Sequence, residues 1–198
     1  NTDCWLLVSA AGAHQLTAQE EKMSSENKGV GTTVQYLAFK LGSEVYAVDV
    51  AKVREILDYP PITKVPRTPD FMRGVINLRG SVVPVVDMRL KFGMSMTEKS
   101  VNTCIVVVEA LVENELTTIG ALADSVQEVV ELDPSSIEPP PKIGSRLKVE
   151  FLKGMGKIGE NFLMILDIDK VFSSSEMMMV KEAASVGKDL VEPDKYQD

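Results

Sequence analysis

The sequence contains few of the residues from which catalytic and metal-binding sites are built. Among 198 residues there is one histidine, His14, and there are two cysteines, Cys4 and Cys104, which lie far apart. The histidine lies in a segment without hydrophobic periodicity, which excludes Ser-His-Asp and Cys-His catalysis and leaves no His-based metal site. The cysteines form no metal-ligand or redox spacing, which favours a reducing cytoplasm. We therefore expect no cofactor and no metal ion.

Positive charge and long hydrophobic runs are also scarce. Lysine and arginine number 21 against 29 acidic residues, which gives a net charge of −8 and a pI of about 4.8. This balance argues against nucleic acid and against anionic membrane surfaces as partners, because both attract basic patches. The longest apolar stretches have the length of strands, so we expect no transmembrane helix and no direct insertion into a membrane.

Acidic residues are plentiful, and four of them follow predicted strands: Asp49, Asp87, Asp124 and Asp167. Aspartate at such positions commonly accepts hydrogen bonds from the next turn, and we expect these four to be caps. A small-ligand or carboxylate-based β-barrel enzyme stays open as an alternative. The run Gly154–Gly159 matches the dinucleotide-binding fingerprint, but a strand is predicted after it where that fingerprint needs a helix.

Short apolar segments bounded by turn residues predict a mainly β protein. Leu37, Phe39 and Leu41 alternate as on a strand with one buried face, and Gly42-Ser43 predicts the turn that follows. A helical turn is predicted at 88–92. The ten predicted strands cover residues 33–41, 45–48, 53–57, 75–78, 82–86, 104–109, 117–123, 126–131, 151–155 and 162–166.

The second half of the chain repeats the order of the first. At a constant offset of 80 residues, Phe71–Gly74 matches Phe151–Gly154, and Val85–Met88 matches Ile165–Ile168. Chance similarity between hairpins is the alternative, but order, spacing and hydrophobic register agree. We predict two related barrels with a shared core, barrel one over about 33–93 and barrel two over about 102–172.

The two ends of the chain differ from this pattern. Residues 1–29 lack periodicity and are expected to form a disordered arm, and 187–198 a flexible tail. Ser173 and Glu176 have the spacing of a capping box, which predicts a C-terminal helix over about 174–186. The apolar stripe of this helix consists of Met177, Val180 and Ala184. We expect the stripe to pack against the barrels, and contact with a partner is the alternative.

One methionine bears on where translation begins. The codons of Gln19–Lys22 can spell a ribosome-binding tract directly before Met23. We hypothesise that translation starts at Met23 and that residues 1–22 are not natively translated.

The run Gly74–Arg89 is the most informative part of the sequence. It predicts a strand, a tight turn and a second strand, with Asn77–Gly80 as a type I turn followed by a glycine bulge. This places Arg79 at an exposed hairpin tip with no acidic neighbour in sequence. A rigid tip without a catalytic group is typical of a surface that binds another protein.

In this run, together with Tyr46–Ile56 and Phe71–Gly74, the chain resembles the CheW family of chemotaxis coupling proteins. The resemblance covers about residues 33–186, and we expect a CheW-like domain over 30–186. It implies two intertwined SH3-like five-stranded β-barrels around a common core. It also implies a non-enzymatic adaptor that joins chemoreceptor tips to the regulatory domain of the kinase CheA, in the cytoplasm at membrane-associated arrays.

The resemblance also assigns site residues. It implies receptor binding by Arg79, Val53, Gly74 and Val126, and kinase binding by Glu55. Other copies of the same family are possible further partners. Within the same class, an adaptor of a chemotaxis-like system that controls pili or surface motility remains an alternative.

Overall fold

The computed structural model of the chain describes residues 33–112, 114–140, 149–159 and 161–172, together with 175, 176, 178, 179, 182 and 185. The predicted arm over 1–29, the proposed start at Met23 and the predicted tail over 187–198 lie outside the described residues.

Within the described residues the chain forms ten strands, two short α-helices and three 3-10 turns, and residues 175, 176, 178, 179, 182 and 185 are also helical. The strands are β1 Val34–Leu41, β2 Glu44–Asp49, β3 Val53–Asp58, β4 Met72–Leu78, β5 Ser81–Asp87, β6 Cys104–Val112, β7 Glu115–Ala123, β8 Ser125–Leu132, β9 Leu152–Ile158 and β10 Asn161–Leu166. The helices are α1 Met88–Lys91 and α2 Ile168–Val171. All ten predicted strands and the helical turn after β5 are confirmed, and so is the mainly β fold class. The run Gly154–Gly159 lies in the hairpin β9–β10, and the next element after it is the strand β10 rather than a helix.

The strands form two five-stranded sheets, and each sheet combines strands from both halves of the sequence. The terminal sheet has the order β8-β1-β2-β10-β9, and the central sheet has the order β3-β6-β7-β5-β4. Each half thus gives its first hairpin to the sheet built mainly by the other half. This exchange fits the intertwined barrels that the resemblance implies, and the bounds of 33–93 and 102–172 for the two barrels stay a prediction.

The internal repeat is visible in the strand registers. Hairpin β4–β5 pairs Gly74 with Val85, hairpin β9–β10 pairs Gly154 with Ile165, and both ladders shift register beside the glycine. The same main-chain hydrogen bond closes both units at 2.8 Å, from Asp87 N to Phe71 O and from Asp167 N to Phe151 O. The predicted offset of 80 residues is therefore confirmed.

Each sheet curls around a small apolar cluster and turns its other face to a larger core that both sheets share. Strand β1 shows the division: Leu37, Phe39 and Leu41 belong to the shared core, whereas Tyr36 and Ala38 belong to the cluster inside the terminal sheet. Neighbouring side chains on a strand point to opposite faces of the sheet. A shift of the strand by one residue would therefore move the shared-core residues into the inner cluster and the inner-cluster residues into the shared core. Burial on both faces therefore fixes the register.

A buried lysine attaches the C-terminal helical residues to the shared core. Lys91 is 5% exposed, and its Nζ lies 2.5 Å from Oε1 of Glu176. The same Nζ lies 4.8–5.6 Å from the ring centres of Phe71, Phe151 and Phe172, where an ammonium group is attracted by the aromatic faces. Glu176 and the other described residues of this segment are helical, as predicted. The predicted stripe lies outside the described residues: Met177, Val180 and Ala184.

The predicted aspartate caps are confirmed for two of the four residues. Asp49 and Asp87 accept hydrogen bonds at 2.9–3.2 Å from main-chain N–H groups of the turns that follow them. The prediction is wrong for Asp167, which makes no side-chain cap bond, and for Asp124. Asp124 instead accepts from the N–H of Gly42, a turn distant in sequence, at 2.6 Å.

Candidate functional site

The turn between β4 and β5 contains two residues, Arg79 and Gly80. Leu78 pairs directly with Ser81, and both turn residues are left-handed, with φ of 51° and 86°. Two left-handed residues correspond to a type I′ turn, so the predicted type I turn with a bulge is wrong. The type I′ turn fits because its twist matches the right-handed twist of the strands. Asn77 fixes it, because its Oδ1 accepts a hydrogen bond from the N–H of Gly80 at 2.8 Å.

The turn exposes Arg79 and directs it towards an acidic side chain on another strand. The Arg79 side chain is 81% exposed, and its Nη2 donates to Oε2 of Glu55 at 3.2 Å. Glu55 lies 24 residues earlier in the sequence, on the edge strand β3. The structure thus brings together one residue predicted for receptor binding and one predicted for kinase binding. An ion pair this exposed holds its partners weakly, so the guanidinium remains available to another acceptor.

Arg79 and Glu55 stand at the rim of an open groove of about 590 Å³ on the central sheet. Val83 and Val107, which belong to the buried cluster inside this sheet, line its base. Leu116, at the end of hairpin β6–β7, lines another side and is 66% exposed. The groove therefore combines an apolar base with a charged rim, which is the usual arrangement of a protein-binding surface.

A second arginine on the rim is already engaged. Arg54, next to Glu55 on β3, donates through Nη2 to Oε1 of Glu109 on β6. This hydrogen bond raises the pKa of the Arg54 guanidinium above its ordinary value. Arg54 is thus held against its own sheet, whereas Arg79 projects from a turn.

Gly74 lies at the other end of β4 and is buried. Its φ is 136°, and a Cβ there would lie 2.1 Å from the carbonyl oxygen of Thr63. Thr63 and Val75 exchange main-chain hydrogen bonds of 2.9 and 2.8 Å across this contact. Close packing of two backbones therefore accounts for the glycine, which does not line the groove.

Val53 and Val126 occupy equivalent places in the two sheets. Val53 opens β3 opposite Val108, and Val126 lies near the start of β8 opposite Phe39. Both valines are half-buried and pack against the shared core. Neither lines the groove at Arg79, so the structure unites Arg79 with Glu55 and leaves the other three predicted residues outside that groove.

Residues 35–176 match the family model described as the CheW-like domain. The chain belongs to this family.

The CheW-like domain of this chain is similar to characterised proteins over most of its length. The chemotaxis protein CheW of Klebsiella aerogenes is 37% identical over 164 residues, which cover 82% of this chain and 96% of that protein. The chemotaxis protein CheW of Thermotoga maritima is 30% identical over 75% of this chain and 91% of its own length. The crystal structure of the scaffolding protein TtCheW from Thermoanaerobacter tengcongensis matches with a TM-score of 0.66 and 31% identity, covering 77% of this chain and 96% of that one.

The structure adds residues to the candidate site that were not predicted from the sequence. The base valines, Val83 and Val107, are indistinguishable in sequence from other core residues of their strands. Leu116 pairs with Leu111 at the end of hairpin β6–β7, and the two leucines are 66% and 43% exposed. Their place on both sides of a turn was visible in the sequence. Two large apolar residues beside a turn, where polar residues are usual, mark a contact surface.

Some of the groups that bind metal ions are missing from the described part of the CheW-like domain. It contains no histidine and no group of three or more His, Cys, Asp or Glu side chains that could hold a metal ion. Cys104 is a free, buried thiol. Among the described helices, none is long and apolar enough to cross a membrane.

Proposed function

We propose that this protein is a non-enzymatic adaptor that couples chemoreceptors, the methyl-accepting chemotaxis proteins, to the histidine kinase CheA. Membership of the CheW-like family supports an adaptor role in chemotaxis. The match to a protein described as scaffolding supports a structural rather than a chemical contribution. The adaptor acts in the cytoplasm, at membrane-associated receptor arrays.

The exposed Arg79–Glu55 pair on the groove of the central sheet is the observation that carries this proposal. A partner helix with apolar and acidic side chains along one face would complement this apolar base and the arginine at its rim. Arginine is a frequent anchor of protein interfaces because its planar group binds carboxylates and also packs against apolar surface. The rigid type I′ turn holds Arg79 in place before binding, which reduces the entropy lost on association.

Val53, Gly74 and Val126 complete the proposed receptor contacts in different ways. The two valines each leave part of an apolar side chain at the surface of the shared core, where a receptor helix can cover it. Gly74 is buried, and its contribution is to let the β4–β5 hairpin lie close to the preceding loop, which places the Arg79 turn.

Glu55 is the proposed kinase contact, and its ion pair links the two binding events. A receptor carboxylate that binds Arg79 competes with Glu55 for the guanidinium. Binding of the receptor then frees the Glu55 carboxylate towards a cation on the kinase regulatory domain. Signal passes through shifts in such contacts, with no chemical step on the adaptor.

Phosphotransfer measurements test the adaptor function. CheA autophosphorylation is followed in receptor membranes with and without this protein, and the protein is also incubated alone with ATP and with phosphorylated CheA. We expect higher kinase output only when receptor, kinase and this protein are together, and no turnover by this protein alone. Turnover of a substrate by the purified protein, or kinase output that is independent of it, would contradict the proposal.

The substitution Arg79→Glu tests the role of the groove. Receptor fragment and kinase regulatory domain are titrated separately against the wild type and the variant. We expect a receptor affinity about thirtyfold lower, the effect of roughly 2 kcal/mol at an interface anchor. Kinase affinity should change less, because the proposed kinase contact is Glu55.

Arg67→Glu is the matched control for this substitution. Arg67 is also an exposed arginine with a left-handed backbone, with φ of 61°, and it does not line the groove. The same charge reversal at Arg67 should leave receptor affinity within a factor of two. An equal loss for both variants would show that net charge, rather than the groove, governs binding.

A further inference from the structure

The two strands that carry the proposed contact valines both begin at a corner of the chain that is held by charged side chains. The first corner is Asp124, the residue between β7 and β8. Its Oδ2 accepts a hydrogen bond from the N–H of Gly42 at 2.6 Å and lies 3.5 Å from Nη1 of Arg89 in α1. Arg89 also donates to Oγ of Ser95 at 2.8 Å. We call the group of Asp124, Arg89 and the Gly42 N–H clamp 1.

The second corner is the single 3-10 turn between β2 and β3, which ends at Lys52. Nζ of Lys52 lies 2.8 Å from Oδ2 and 3.1 Å from Oδ1 of Asp169 in α2. Oδ1 of Asp169 also accepts a hydrogen bond from the N–H of Leu111, near the end of β6, at 2.6 Å. We call the group of Lys52, Asp169 and the Leu111 N–H clamp 2.

The two clamps occupy equivalent places in the internal repeat but with their charges exchanged. Arg89 and Asp169 are 80 residues apart and lie in equivalent short helices. Phe39 pairs with Val126 and Val108 pairs with Val53, so Phe39 and Val108 are equivalent positions. Gly42 lies three residues after Phe39, and Leu111 lies three residues after Val108. The two N–H donors, Gly42 and Leu111, are therefore equivalent too. In clamp 1 the carboxylate belongs to the corner and the cation to the helix. In clamp 2 the cation belongs to the corner and the carboxylate to the helix.

The strands that follow these corners depend on them for their starting position. β3 and β8 are both edge strands, so each is hydrogen-bonded along one side only. In both strands the register of pairing shifts just after the valine. In β3 the shift lies between Val53 and Glu55, and in β8 it lies between Val126 and Val129. A bulge separates each valine from the regular ladder. The corner is therefore a separate constraint on where the valine lies, in addition to its ladder partner and its packing against the shared core.

We propose that Lys52–Asp169 and Arg89–Asp124 are positioning pairs, which set the start of β3 and β8 and thereby place Val53 and Val126 for the receptor. This rests on the proposed adaptor function. Such pairs are expected to act on position more than on global stability, because Lys52 and Asp169 are each about a third exposed, and ion pairs at that exposure contribute little to unfolding. Residues that touch neither partner directly can still change an affinity severalfold when they fix a contact element.

Clamp 2 is tested by removing its cation and then by reversing its polarity. Lys52→Met should weaken binding of a receptor-tip fragment about fivefold. Lys52→Glu combined with Asp169→Arg recreates the polarity of clamp 1 and should restore affinity to within a factor of two of wild type. Lys170→Met is the matched control, since Lys170 lies next to Asp169 and its Nζ pairs at 2.8 Å with Asp167, the residue before α2. It should leave the affinity unchanged.

Amide hydrogen exchange gives a second measurement that does not need a partner. Lys52→Met should raise exchange about tenfold at residues 53–55 while residues 126–129 stay unchanged. Arg89→Met should raise exchange at residues 126–129 and leave exchange at residues 53–55 unchanged. A variant that only loosens the whole fold would raise exchange in both strands equally, which would overturn the proposal.

The outcomes separate this proposal from the adaptor function itself. If the wild-type chain does not bind the receptor fragment, the proposed function fails, and amide exchange still decides whether the clamps position the strands. If the wild type binds and Lys52→Met binds equally well, the clamps do not position the contact. Loss in Lys52→Met without recovery in the folded double variant would make Lys52 a direct contact instead. Should the double variant not fold, Lys52→Arg decides: it retains the pair, and a fivefold loss there would overturn the proposal.

Discussion

Hairpins β4–β5 and β9–β10 have the same architecture but different tips. Both carry a glycine beside a register shift, and both are closed by the same 2.8 Å hydrogen bond from an aspartate N–H to a phenylalanine carbonyl. The first turn residue is left-handed in both, with φ of 51° at Arg79 and 58° at Gly159. One hairpin thus places an arginine where the other has the residue that this backbone prefers.

The comparison separates what the fold needs from what binding needs. Features present in both hairpins are explained by packing, because both barrels require them. Arg79 is present in one only, and its left-handed backbone is unfavourable for a residue with a Cβ. Backbone conformation alone does not distinguish Arg79, because Arg67 is also an exposed left-handed arginine. Arg79 differs in lining the groove, and this supports the proposed interaction with another protein.

The largest expected effect comes from separating the two halves. A fragment of residues 30–95 should show no cooperative thermal unfolding, because its β1–β2 hairpin lacks β8 and β10 and its β3 lacks β6. The whole stability of the domain, about 5–15 kcal/mol for a typical protein, would be lost. Mixing this fragment with residues 96–198 should restore a cooperative transition, measured by circular dichroism. A cooperative transition in either fragment alone would contradict the exchange of strands.

The two equivalent glycines should differ in their tolerance of a methyl group. Gly74→Ala should cost about 4 kcal/mol, because its Cβ would meet a main-chain oxygen at 2.1 Å and its φ is 136°. Gly154→Ala should cost less, about 2 kcal/mol, because its backbone is not left-handed and the nearest main-chain atom, the oxygen of Glu138, lies at 2.9 Å, although Cγ2 of Ile137 at 2.3 Å must move. Urea unfolding of both variants measures the difference. Equal costs would show that the surroundings of the two glycines are equally restrictive, which would contradict this prediction.

The strands and their repeat were predictable from the sequence because they depend on local pattern. Alternation at Leu37, Phe39 and Leu41 and the glycines at a fixed offset determine strand positions and bulges. The exchange of hairpins between sheets was implied by the family resemblance but was not predictable from residue pattern alone, because β3 presents the same pattern to β6 as to an equivalent strand of its own half. Pairing between similar strands is decided by packing of the whole domain.

The site was predictable to the extent that it depends on one turn. The Asn77–Gly80 run placed Arg79 at an exposed tip, and the structure agrees. The choice between turn types failed because the twist of the strands, rather than turn propensity, selects type I′. The partner of Arg79 was hidden, because Glu55 lies on a strand brought close only by the closed sheet. The misassigned Asp124 failed for the same reason: its acceptor role serves a turn that is distant in sequence.

Exchanging the charges of the Arg79–Glu55 pair should separate its contribution to stability from its contribution to receptor binding. Arg79→Glu combined with Glu55→Arg keeps an ion pair between the two positions, so stability should stay within about 0.5 kcal/mol of wild type. Receptor affinity should remain about thirtyfold lower, because the cation now projects from β3 rather than from the turn. Isothermal titration with a receptor fragment measures this. Recovery of wild-type affinity would mean that the pair matters only for the fold.

The smallest expected effect, and the most direct test of the comparison, is to give the first hairpin the tip of the second. Arg79→Gly removes a left-handed arginine, which costs about 1 kcal/mol, but it also removes an exposed ion pair and adds freedom to the unfolded chain. These terms nearly cancel, so the free energy of unfolding should be unchanged or higher by up to about 0.5 kcal/mol, while receptor affinity falls at least tenfold. Arg67→Gly is the control, because it relieves a similar backbone at φ of 61° away from the groove and should keep full affinity. Stability that falls by more than about 1 kcal/mol on Arg79→Gly would show that the arginine serves the fold.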